Sequence, residues 1–81
     1  GVAMLLDGNM CVGVAGDEVI VRVGPEAYDA MLFEPHVREF DFTGRPMKGW
    51  VVVEPEGIAR DEALRTWVER AIAFVKTLPA K

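Results

Sequence analysis

Hydrophobic residues crowd the start of the chain in three short runs, at positions 2–6, 10–14 and 19–23, cut apart by Gly8-Asn9 and Gly16-Asp17. Glycine supplies the positive φ that two-residue hairpin turns need, and the flanking Val, Ile, Leu and Met suit a pleated, half-buried surface. The pattern predicts a meander of three antiparallel strands. The first two runs are apolar on successive residues, which predicts that both of their faces are covered. The third alternates: Val19, Val21 and Val23 share one face, with Ile20 and Arg22 on the other.

Gly24-Pro25 stops this sheet. Pro25 suits the first position of a helix, where its missing N–H costs nothing, and Glu26 favours the positive end of the helix dipole. A short helix is predicted to about Glu34, with Ala27, Tyr28, Met31 and Leu32 on one side and Pro35 ending it. Residues 35–39 read as a connection, and alternation resumes at Phe40-Asp41-Phe42. After a turn at Thr43-Gly44-Arg45-Pro46, a fifth strand centres on Trp50-Val51-Val52-Val53, and Pro55-Glu56-Gly57 breaks it. Asp61 is a candidate N-cap for the last element. There Leu64, Trp67, Val68, Ala71, Ile72, Val75 and Leu78 recur at helical spacing on one face, and Pro79 closes the run. The order β-β-β-α-β-β-α, with hairpin-joined strands, predicts an α+β fold: an antiparallel sheet of about five strands with the long C-terminal helix packed across it.

Size and composition narrow the function. At 81 residues the expectation is one small domain over the whole chain, 1–81. It is 51% hydrophobic with a mean hydropathy of +0.16, a surplus that a small domain cannot wholly bury. A protein partner, including a second copy in a homodimer, is the natural place for that surplus. The net charge is −4, with no two adjacent Lys or Arg, so direct nucleic-acid binding is disfavoured. No apolar run is long enough to span a membrane and no signal-peptide pattern is present, so a cytoplasmic location is the default expectation.

Candidate chemistry is sparse. Cys11 is the sole cysteine, flanked by Met10 and Val12, and reads as a small buried hydrophobe rather than a redox nucleophile. His36, the sole histidine, reads as an exposed loop residue without catalytic or metal partners. Serine is absent, and Thr43 and Thr66 sit in a turn and on the long helix, not in a nucleophile elbow. No phosphate-loop, dinucleotide, zinc or calcium motif occurs, so no cofactor, metal site or catalytic set is expected, and the chain reads as a non-enzyme. The densest stretch runs over 42–51. There Arg45 and Lys48 beside Trp50 form a candidate surface for an anionic or aromatic ligand, against a simpler reading with solvated cations and a core Trp50. Arg22 poses a similar choice, between pairing with a neighbouring carboxylate and lining the same pocket.

In their order and spacing, four pieces of this chain resemble the TfoX N-terminal domain family. They are Asp7-Gly8-Asn9-Met10, Val21-Arg22-Val23-Gly24, Phe42-Thr43-Gly44-Arg45-Pro46-Met47-Lys48-Gly49-Trp50-Val51, and Leu64-Arg65-Thr66-Trp67-Val68. The resemblance implies a small α+β domain of secretion-chaperone-like fold and carries no established catalytic residues. The family pattern has a helix and a Met-Phe-Gly-Gly stretch before the first strand, and Gly1 resembles the last glycine of that stretch. The expectation is that the opening helix is missing here. The family takes its name from a bacterial competence regulator that has a second, C-terminal domain, and no counterpart of that domain is expected in these 81 residues. Together these readings favour a non-catalytic interaction or regulatory module. The alternative is a small anionic-ligand binder, or minor enzyme, built on Arg22, Arg45, Lys48 and Trp50.

Overall fold

The computed structural model describes residues 2–41, 44 and 46–80. Among the described residues, five strands and two helices follow one another in the predicted order. They are β1 (Val2–Leu6), β2 (Asn9–Ala15), β3 (Glu18–Arg22), α1 (Tyr28–Leu32), β4 (Val37–Asp41), β5 (Pro46–Val53) and α2 (Asp61–Val75), with a 3-10 turn at Pro55–Ile58 before α2. The sheet is antiparallel throughout, in the order β1-β2-β3-β5-β4. The fold is α+β, as the pattern predicts.

Alternation decides which side of each strand enters the core. Val19 and Val21 of β3 pair with Val53 and Val51 of β5, and all four are buried on the side that α2 covers. From the helix, Trp67, Ala71 and Val75 meet them in the same cluster. Tyr28 of α1 joins that cluster, so both helices lie on one side of the sheet. Arg70 of α2 reaches Glu34 just past α1 at 2.9 Å and fixes the two helices side by side.

Several local expectations are corrected. The first turn is Asp7-Gly8, both at positive φ, rather than Gly8-Asn9. Asn9 instead opens β2, where it is buried and its Nδ2 donates to the Pro79 carbonyl at 2.9 Å, tying the chain after α2 to the sheet. Pro25 and Glu26 stand in a turn ahead of α1, whose N-cap is Ala27, and the helix ends at Leu32. Asp61 is the first residue of α2, and Arg60, in extended conformation, holds the cap position without a side-chain cap. The helix stops at Val75, and one further turn carries the chain to Leu78, whose N–H donates to the Val75 carbonyl. Leu64, at the start of α2 and a turn ahead of Trp67, keeps 37% of its surface. The connection expected over 35–39 is the first part of β4, because Val37 pairs with Val53 and Arg38 with Val52.

The successive apolar residues of β2 have a different cause from the one expected. The β1–β2 ladder steps from Met4↔Val12 to Leu5↔Met10, which leaves Cys11 as an extra residue. Such a bulge re-aims a side chain, and here both Cys11 and Val12 enter the core. For β1 the expectation fails over most of its length: Val2, Met4 and Leu5 are exposed, and Leu6 at its end packs against the core.

Gly24 is fixed both by backbone conformation and by close packing. At Gly24 the backbone has φ +88°, and a Cβ would lie 2.3 Å from the Phe74 ring of α2. The Val23 and Gly24 amides both donate to the Gly49 carbonyl, which anchors this crossing of the chain at the end of the sheet. Gly16 also has positive φ, +66°, but nothing lies within 4 Å of its would-be Cβ. Gly24→Ala is therefore expected to cost about 2–4 kcal/mol, from backbone strain plus overpacking. Gly16→Ala, with strain alone, costs about 1 kcal/mol. Urea unfolding of the two variants measures the difference.

Candidate functional site

The sheet side away from the helices collects the sequence's candidate residues. Met10, Ile20, Phe40, Met47 and Trp50 line a shallow hollow of about 370 Å³ there, with only apolar side chains in its walls. Met10 folds over Gly13, whose missing side chain makes room for it. The Phe40 and Trp50 rings sit 6.4 Å apart, tilted by 49°. Trp50 is half-buried on this outer side rather than in the helix-covered core, which corrects the reading of it as core.

Arg22 and Trp50 are direct cross-strand partners on β3 and β5. The Arg22 guanidinium lies 5.1 Å from the Trp50 ring centroid and 5.6 Å from that of Phe74. Its contacts are cation–π, not the pairing with a neighbouring carboxylate that the sequence also offered, and no acid lies within ion-pair distance of it among the described residues. Phe74 reaches this position because Gly24 leaves space for its ring. Lys48 lies on β5 close to Trp50 and is exposed, with no ion pair among the described residues. Arg45 lies outside the described residues, as do Phe42 and Thr43. Of the four sequence candidates, the structure brings Arg22 and Trp50 into contact.

The opposite end of the same sheet side carries charge. Arg38 of β4 reaches across β5 to Glu18 of β3 at 2.6 Å and approaches Glu54 at 4.0 Å. Val52, the cross-strand partner of both Ile20 and Arg38, is only 3% exposed beneath this strap. A second, wider groove of about 560 Å³ runs between the helices, lined by Pro25, Ala27, Met31, Ala73 and Phe74 among others. The cation on its wall, Arg70, is already engaged by Glu34 and by the face of Trp67 at 4.6 Å.

Among the described residues, reactive groups do not converge. Cys11 is fully buried, and burial raises its thiol pKa above the ordinary 9.0 despite the opposing charge of Arg22. The Thr66 hydroxyl donates back to the Glu62 carbonyl within α2. His36 is exposed in a left-handed turn (φ 63°) between α1 and β4. No group of three or more His, Cys, Asp and Glu side chains is placed to hold a metal ion among the described residues. Nor is any described helix long and apolar enough to cross a membrane. The sequence reading missed Phe74 as a neighbour of Arg22; its place in the apolar stretch of α2 is the one signal that could have found it.

Comparison with known proteins gives one match: the family model of the TfoX N-terminal domain fits residues 1–75. No curated protein and no solved structure matches.

Burial also acts on one thiol and one phenol. Burial raises Tyr28 above its ordinary 10.0, as it raises Cys11 above 9.0, with Glu39 and Asp29 adding to the Tyr28 shift. The folded protein therefore holds these protons at pH values where the unfolded chain releases them. Through these two groups, stability should fall as pH rises through about 9 and further above about 10. Cys11→Ala should remove the first part of that decline, as read by denaturant unfolding at stepped pH.

Proposed function

The chain belongs to the TfoX N-terminal domain family, and on that premise we propose that it is a non-catalytic interaction or regulatory module that binds protein through apolar surface. The observation that carries this reading is where the hydrophobic surplus lies. Val2 is 73% exposed and Leu5 59%, on a strand without a single charge, while the outer hollow around Trp50 is apolar throughout. Contiguous exposed apolar surface on a small domain marks a place where another macromolecule sits. Among the described residues, the Cys11 thiol is buried and the Thr66 and Thr77 hydroxyls donate to backbone carbonyls of Glu62 and Phe74.

Self-association is part of the proposal. Sedimentation equilibrium of the full-length protein across the micromolar range should show reversible association with at most a weak salt dependence, because apolar contact drives it. A strict monomer, or association that salt abolishes, contradicts this.

A second reading is favoured by one observation, the Arg22 guanidinium held against Trp50 and Phe74 with no carboxylate partner among the described residues. In it, an apolar carboxylate places its anion on Arg22 and its body in the hollow beside Trp50. Titration with aliphatic and aromatic carboxylates should then change the tryptophan fluorescence, and Arg22→Ala should weaken binding at least tenfold. No response, or an equal response in the variant, removes it.

A further inference from the structure

The sheet has two edges, and they differ in chemistry. On β4, Arg38, Glu39 and Asp41 interrupt the apolar pattern, and its ladder to β5 shifts register between Glu39 and Asp41. Charges and irregular pairing are how sheets keep an edge from recruiting another strand. On β1 the sequence Val2-Ala3-Met4-Leu5-Leu6 has no charge, no proline and no glycine. Its inner neighbour β2 already satisfies one side of the strand, so its outward N–H and C=O groups meet no other strand of the sheet. The side chains are bare as well, with Val2 73%, Leu5 59% and Met4 40% exposed.

We propose that β1 is the seam of a symmetric homodimer, in which it pairs antiparallel with β1 of a second copy and joins two five-stranded sheets into one of ten strands. This rests on the interaction-module reading and names its surface and its partner. A second copy fits because the strand is complementary to itself. A two-fold axis through Met4, perpendicular to the sheet, sets Val2 opposite Leu6, Ala3 opposite Leu5, and Met4 opposite its own copy. Antiparallel partners lie on the same face of a sheet, so this register keeps both helix layers on one side. It also brings the exposed Val2, Met4 and Val14 of each copy toward one trough between those layers. Two chains of net charge −4 repel at acid-bearing surfaces, and β1 offers a line of approach with no charge in it. The guarded β4 edge then ends the assembly at two copies instead of a fibre.

The test uses the full-length protein and three variants. Cys11 is fully buried, so a cysteine placed at Met4 is the accessible thiol of a Met4→Cys variant. A short bismaleimide should link Met4→Cys into dimers rapidly, and should leave Glu69→Cys, on the exposed side of α2, monomeric. Leu5→Lys, on an exposed position, should lower dimer affinity at least tenfold in sedimentation while its thermal unfolding stays close to the parent's. A dimer that persists in Leu5→Lys and is not linked through Met4→Cys overturns the seam and leaves the interaction-module reading standing. A monomer at every concentration overturns both the seam and self-association.

Discussion

A single α-helix is about 10 Å wide with its side chains, whereas five strands at roughly 4.8 Å spacing make a sheet about 20 Å across. That mismatch governs this structure. The stripe of Trp67, Ala71 and Val75 can seal only the strands directly beneath it, and α2 packs on β2 and β3. The short α1 extends the layer over β5 and β4, with Tyr28 at the junction and the Arg70–Glu34 pair holding the helices together. Of β1, Leu6 at its end packs against the core, while Val2, Met4 and Leu5 stay exposed. The core is consequently concentrated on β3 and β5, where Val21, Val51 and Val53 are fully buried, and it thins toward the first strand. At roughly 1.5–3 kcal/mol for each large apolar side chain, these few contacts carry most of the stability that a domain of this size can have.

The outer side of the sheet follows from the same shortage of cover. With no helix there, its apolar residues are shielded by whatever can lie flat on them. Arg38 bridges to Glu18 above Val52 at one end, and Met10, Phe40 and Trp50 lean together at the other. Arg22 adds a cationic cover over Trp50, and a long side chain of this kind hides apolar surface while keeping its charge near water. The Glu18–Arg38 pair is exposed enough that its ionic worth is modest; its contribution is the shielding of Val52.

Much of the fold was legible in the sequence because two periodicities dominate it. The hairpins around Gly8 and Gly16 and the stripe of α2 depend on local spacing, which a linear reading captures. What was missed depends on partners distant in sequence. Val37, Arg38 and Glu39 look like a loop until β5 is set beside them, since an edge strand tolerates charge. The run in β1 looks like a strand covered on both faces, because an apolar run reads the same whether or not other elements cover it. The bulge at Cys11 was hidden in the same way, as successive apolar residues in a strand also fit two-sided burial. At the candidate site, the nearness of Arg22 to Trp50 follows from the β3–β5 register, and Phe74 enters only because Gly24 lets it, neither of which spacing reveals.

The central claim is that α2 and the β3–β5 pair form one cooperative body. Native-state amide hydrogen exchange, resolved by residue, tests this most directly. The amides of Val19, Val21, Val51 and Val53 and those from Trp67 to Val75 are expected to exchange with one common free energy, equal to that of global unfolding. Helix amides that exchange through a separate, much cheaper opening while the central strands stay protected would contradict it.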